Sequence, residues 1–174
     1  MPIVIFEGSN KVGKSTLIDA LADECDREGI KYCIFNKRHA KNSEKKVTPE
    51  EMFEIACRDF SEMLKHSRNE LVLVDRFHIT EFIYGLIYRG YYNFDMLEVV
   101  DKLLKAVDAK LIMVTSYYEH IKDPFEKWKL NKIQDDMLKF KTKLSTFEVR
   151  LTNVEKRTLR FEAGEILNFV KEVD

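Results

Sequence analysis

Gly8, Gly13, Lys14 and Ser15 fill every fixed position of G-x-x-x-x-G-K-[ST], directly after the apolar run Ile3-Val-Ile-Phe6. Two glycines let a backbone turn with its N–H groups pointing inward, so a polyphosphate can settle among those donors at the start of the following helix. Lys14 would then reach the β- and γ-phosphates of a nucleotide, and the Ser15 hydroxyl would take a place on Mg²⁺. The whole loop, Gly8, Ser9, Asn10, Lys11, Val12, Gly13, Lys14, Ser15 and Thr16, is expected to hold ATP. A second pair of residues points to the same chemistry. Asp75 ends the apolar run Leu71-Val-Leu-Val74, where a carboxylate can hold Mg²⁺ close to the phosphates, so Ser15 and Asp75 are the expected metal ligands. Arg76, the next residue, adds a planar, permanently charged fork suited to a phosphate.

These side chains need a frame that brings two distant stretches to one edge. The apolar runs 3–6, 31–36, 71–74, 111–115 and 147–151 read as strands, and the first and third are continuous enough to be covered on both faces. Between them apolar residues recur at helical spacing: Leu17, Ile18, Leu21 and Ala22, with Gly29 as a C-cap; Phe53, Cys57, Phe60 and Leu64 after the start signal Thr48-Pro49-Glu50-Glu51. Phe82, Ile83, Leu86 and Ile87 form a helix broken by Gly90, and Leu97, Val100, Leu103, Leu104 and Val107 form another. Leu130, Ile133, Met137, Phe140 and Leu144 predict one long amphipathic helix, and Ile166, Leu167, Phe169 and Val170 a C-terminal one. Strands alternating with helices imply a three-layer α/β fold: a central five-stranded parallel sheet with helices on both faces. Ligands of such sheets bind at the carboxyl ends of the strands, which collects Gly8–Ser15, Lys37-Arg38, Asp75-Arg76 and Thr115-Ser116 on one edge.

The 174 residues read as a single domain, 1–174, long enough to bury a sizeable core. Lys+Arg 29 against Asp+Glu 30 leaves no basic excess, which argues against a general nucleic-acid or membrane-surface binder; the partner that the loop leads one to expect is a small-molecule nucleotide. Cys25, Cys33 and Cys57 show no C-x-x-C spacing, and the four histidines show no paired ligand spacing, so the thiols are expected reduced and metal-free. With no apolar run of membrane-spanning length, a cytoplasmic location is expected. The rings of Phe82, Tyr84, Tyr88, Tyr91 and Tyr92 would suit a homodimer face as well as a core.

Phe6-Glu-Gly-Ser-Asn-Lys-Val-Gly-Lys-Ser-Thr-Leu17, together with Asp75-Arg76-Phe-His-Ile-Thr-Glu-Phe-Ile-Tyr-Gly85, resembles the thymidylate kinase branch of the P-loop nucleoside monophosphate kinases. The motifs cover the first half of the chain; the second half is similar in layout only. The resemblance implies ATP- and Mg²⁺-dependent phosphorylation of a deoxynucleoside monophosphate, with Lys11, Lys14, Asp75 and Arg76 in the catalytic cluster. Lys11 falls where some relatives hold an arginine that bridges the donor and acceptor phosphates. Glu7, Arg38, Arg58 and Arg76 fall in the acceptor site, Arg38 on the monophosphate and Arg58 by the base. Asn10 replaces an acid that touches the acceptor sugar in many relatives. Glu54 stands where a base-stacking phenylalanine is expected, with Phe53 one place away. A lid segment is expected near 117–130, with Lys122, Lys127, Lys129 and Lys132 where relatives often carry arginines. The chain is short for a cellular thymidylate kinase, which points to a phage or viral source.

Two other readings keep the loop chemistry. A deoxynucleoside kinase, or a kinase of a modified base in DNA, would need a general base, for which Glu7 and Asp75 are the candidates. A nucleotide-binding regulator would need no acceptor.

Overall fold

The computed structural model describes residues 2–36, 48–90, 94–151 and 156–172. Five parallel strands, β1 (Ile3–Glu7), β2 (Tyr32–Asn36), β3 (Leu71–Asp75), β4 (Lys110–Ser116) and β5 (Ser145–Leu151), form one sheet in the order β2-β3-β1-β4-β5. Helices α1 (Lys14–Glu28), α2 (Pro49–Ser67), α3 (His78–Tyr84), α4 (Phe94–Ala106), α5 (Pro124–Leu138) and α6 (Lys156–Lys171) connect the strands and flank them. A π-helical turn over Gly85–Arg89 extends α3, and Gly90 closes it in the left-handed conformation at φ 69°.

The period of two in a strand explains the two cores. Val4 and Phe6 of β1 face Leu17, Leu21 and Cys25 of α1 and Ala163, Ile166 and Leu167 of α6, whereas Ile3 and Ile5 face Met63 of α2, Ile79 of α3 and Leu104 of α4. Every residue of β1 is buried, as is every residue of β3 before Asp75, which is why those strands read as unbroken apolar runs.

Local signals set the helix boundaries. Thr48 and Glu51 form a reciprocal capping box at the start of α2, each side chain accepting from the other's backbone N–H. The long helix expected over 130–144 is displaced: α5 begins at Pro124, with Asp123 accepting from the Phe125 N–H at 3.0 Å, and ends at Leu138. Its end follows from a competing partner. Buried Asp101 of α4 accepts from the Lys143 N–H at 2.7 Å and from the Thr142 hydroxyl, which takes that backbone away from a helical ladder. Leu144 is buried from the connecting segment instead, and Phe140 packs against the same core.

No helix among the described residues is long and apolar enough to cross a membrane. Tyr91, Tyr92 and the side chain of Tyr88 lie outside the described residues; Leu86, Ile87 and Phe94 are exposed between 40% and 46%.

Candidate functional site

β1 ends in the middle of the sheet, so the loop it feeds sits between the carboxyl ends of β3 and β4. Close approach dictates the glycines. A Cβ on Gly8 would lie 2.3 Å from the Val114 carbonyl oxygen, and Gly8 has φ 148°. Gly13 enters α1 at φ 95°, and a Cβ there would meet Leu151 Cδ1 at 2.9 Å. Lys11 is also left-handed, at φ 61°, so the loop coils around a concave row of backbone groups.

Lys14 turns into that concavity. Its Nζ donates to the carbonyl oxygens of Gly8 and Ser9 at 2.9 and 2.8 Å, and the side chain is 4% exposed. Burial first, and the nearby Arg76 charge second, lower its pKa from 10.5 to about 7. Ser15 Oγ donates to Asp75 Oδ2 at 3.1 Å, and Asp75 Oδ1 is buried without a hydrogen-bond partner. Two neighbouring ligands of an octahedral Mg²⁺ stand about 3 Å apart, so this pair has the spacing and the spare oxygen that the ion requires. Ser9 Oγ is likewise buried and unpartnered in the same loop.

Arg76 continues the sheet by donating its N–H to the Phe6 carbonyl at 3.0 Å, then turns at φ 71°. A non-glycine residue in that region is strained by about 1–3 kcal/mol, and such strain gathers at functional sites. The guanidinium donates to Asn10 Oδ1 at 2.5 Å and lies 5.7 Å from the centre of the Tyr84 ring. Asn10 therefore aims the arginine back over the glycine loop. The structure thus brings together Lys14, Ser15, Asp75, Arg76 and Asn10.

The remaining predicted residues are dispersed. Lys11 pairs with Glu126 at 2.6 Å, reaching the first turn of α5. Glu7 is fully buried and accepts from the Phe77, Ile79 and Thr80 N–H groups at 3.0–3.2 Å and from the Thr80 hydroxyl. Its carboxylate caps α3 from a distant strand, and that helix follows Asp75 and Arg76 directly. Arg58 stands 71% exposed on α2, 3.9 Å from Asp59. Arg38 lies outside the described residues. Glu54 is exposed, while Phe53 lines an apolar pocket between α2, α3 and α4 with Met52, Phe82, His78 and Glu81.

Sequence reasoning missed three contacts of the site. The Asn10–Arg76 bond joins residues far apart in the chain. Gln134 of α5 clamps the end of β4, accepting from the Ser116 N–H at 2.8 Å and donating to its carbonyl at 3.2 Å. Glu126 meets Lys11. The last two depend on where α5 starts, and the Asp123-Pro124 pair that marks this start has the same chemistry as Thr48-Pro49.

No family model matches the chain, and no curated protein matches it in sequence. Its structure aligns with the crystal structure of a thymidylate kinase from Ehrlichia chaffeensis at a TM-score of 0.66, over 95% of this chain and 98% of that one. The fold is that of a thymidylate kinase. Only 14% of residues are identical to that thymidylate kinase, so the likeness carries the architecture and not the substrate. Because the two chains align nearly end to end, the shortness that pointed to a phage source finds no support.

Proposed function

We propose that the chain is an ATP- and Mg²⁺-dependent kinase that phosphorylates a deoxynucleoside monophosphate, thymidylate-like, to the diphosphate. The observation that carries this reading is the convergence of Lys14, the Ser15–Asp75 pair and the Asn10-held Arg76 on one loop. Three separate positive or metal-holding groups face one concavity, an arrangement suited to transferring a phosphoryl group between two phosphates.

The reaction needs positioning and charge balance, with no covalent intermediate. An oxygen of the acceptor monophosphate forms a bond to the γ-phosphorus, the bond from that phosphorus to the β–γ bridging oxygen breaks, and ADP leaves. Loop N–H groups hold the β-phosphate, and Lys14 Nζ exchanges its two loop carbonyls for phosphate oxygens. Arg76 offers its fork to the phosphoryl group in flight, and Lys11, released from Glu126, adds a second charge. Ser15 and Asp75 would hold Mg²⁺, which would supply charge neutralisation to the reacting phosphates. Glu7 is a positioning residue: by capping α3 it fixes the direction in which the chain leaves Arg76.

A monophosphate already carries its nucleophilic oxyanion, whereas a nucleoside or DNA hydroxyl requires a base. Glu7 has its oxygens committed to four donors of α3, which counts against it in that role and favours the monophosphate reading. For the acceptor base, Phe53 offers a flat apolar wall, and the buried Nδ1 of His78, without a hydrogen-bond partner, offers a polar contact in the same pocket. Arg58 and Arg38 complete the proposed acceptor side, and the segment 117–130, with the α5 lysines, is the proposed lid. Exposed Leu86 and Ile87 of the π-helical turn and Phe94 at the start of α4 favour a homodimer through that surface. The cytoplasm is the proposed location.

The test is product identification after incubation with ATP and Mg²⁺ against a panel of nucleosides, nucleoside monophosphates and short DNA. A nucleoside diphosphate from a deoxynucleoside monophosphate is expected, with Arg58→Ala and Phe53→Ala changing acceptor preference more than ATP affinity. Product from nucleosides or DNA alone overturns the acceptor assignment.

A further inference from the structure

Away from the nucleotide edge, the fold builds a corner that no part of the phosphoryl-transfer reading uses. Cys33 sits near the start of β2, an edge strand, and pairs in register with Val72 of β3. His66 belongs to the last turn of α2, and Glu70 to the tight turn from α2 into β3. That turn is fixed by the backbone: Asn69 and Glu70 both donate their N–H groups to the His66 carbonyl, at 3.0 and 3.2 Å, and Leu71 donates to Lys31 at 2.8 Å. One sulfur, one imidazole nitrogen and one carboxylate oxygen from these three residues lie within 4.8 Å of one another.

We propose that Cys33, His66 and Glu70 form a binding site for a single divalent zinc-class cation, with solvent as the fourth ligand. The donor set decides the metal class: a sulfur ligand excludes a hard ion such as Mg²⁺, and sulfur with nitrogen and oxygen suits Zn²⁺ or Co²⁺. Charge agrees. A thiolate, a carboxylate and a neutral imidazole exactly neutralise a +2 ion, whose binding displaces the thiol proton to solvent. Tetrahedral Zn²⁺ with ligand bonds of about 2.0–2.3 Å needs its ligand atoms roughly 3.5 Å apart. His66 Nδ1 and Glu70 Oε1, now 2.5 Å apart, must open by about 1 Å to meet that requirement, and at 49% and 27% exposure both side chains have room to do so. The same exposure leaves space for a water ligand.

The competing chemistry, a reactive cysteine, does not fit. A nucleophilic thiol needs a base at its sulfur and a lowered pKa. Here the His66 Nδ1 that could act as that base is held by Glu70 at 2.5 Å. The site would instead fasten an edge strand to α2, roughly 10 Å along β2 from the end that leads toward the nucleotide edge. It stands independently of the kinase reading. The expectation that the thiols are metal-free came from linear spacing, and these residues meet only because β2 pairs with β3.

The test uses full-length, untagged protein stripped with a chelator, then titrated with Co²⁺ and with Zn²⁺. One ion per chain is expected, with a thiolate-to-Co²⁺ charge-transfer absorption that vanishes in Cys33→Ser. Zn²⁺ affinity should fall by at least about tenfold in His66→Gln and in Glu70→Gln, since even outer-shell changes cost that much. Far-UV circular dichroism verifies folding, and the exposed His66 keeps the test valid should Cys33→Ser unfold. Absence of the thiolate band, its persistence in Cys33→Ser, or unchanged Zn²⁺ affinity in His66→Gln overturns the proposal.

Discussion

Replacing Lys14 by Met keeps the length of the side chain and removes the buried charge, which makes the pH dependence of stability a direct probe of the loop. The folded-state pKa of about 7 lies below the unfolded value of 10.5, so between these values the unfolded chain binds more protons than the native one. Stability from this group must therefore rise with pH above about 7 and be at its lowest below that, where the native state carries a charge that burial and Arg76 disfavour. Between pH 7 and 8.5 the native lysine goes from half protonated to almost neutral, and the integrated gain is about 1.5 kcal/mol. For a chain of this size that corresponds to a rise in melting temperature of about 3–6 °C. The Cys25 and Cys33 thiols, raised by burial from 9.0 to about 11, begin to oppose this gain only at the upper end of the window, and they do so equally in wild type and variant. The assay is thermal unfolding of nucleotide-free wild type and Lys14→Met at half-unit pH steps. The wild-type curve should climb relative to the variant across this window. Parallel curves would refute the argument that Lys14 is a buried cation in the loop. ATP, which supplies the missing negative charge, should reverse the shift and draw a proton from buffer on binding near pH 8, measurable by calorimetry in buffers of different ionisation enthalpy.

Arg76→Lys keeps the charge but loses the planar fork and its hold on Asn10; turnover should fall by about 100-fold or more with the melting temperature little changed. A wild-type rate in that variant would remove Arg76 from the reaction. Glu7→Gln places an amide N–H₂ against donors of α3 and should cost about 2–3 kcal/mol in urea unfolding. A loss below about 0.5 kcal/mol would mean that the four hydrogen bonds do not hold α3 in solution.

What was legible in the chain was whatever a short window carries. The glycine loop, the strand-final Asp75 and the buried runs of β1 and β3 are local patterns, and each falls at the place in the fold that its pattern indicates. Thr48-Pro49 is a helix start signal and Asp123-Pro124 carries the same one, but there it competes with an apolar period that runs on through Phe140 and Leu144. Periodicity could not end α5, because the residue that ends it, Asp101, lies on another helix. The place of Glu7 beside the loop suggests a base; only the crossover that leads into α3 reveals the four donors waiting there. Asn10 with Arg76, and Cys33 with His66 and Glu70, are juxtapositions of topology with no signature in spacing.

The central claim is that the loop moves a phosphoryl group between two nucleotides and does not merely bind or hydrolyse ATP. The most direct measurement follows a labelled γ-phosphate of ATP in the presence of Mg²⁺ and a deoxynucleoside monophosphate. The account predicts label in a deoxynucleoside diphosphate, at a rate that collapses in Lys14→Met. Label appearing only as inorganic phosphate, or remaining in ATP whatever the acceptor, would contradict it.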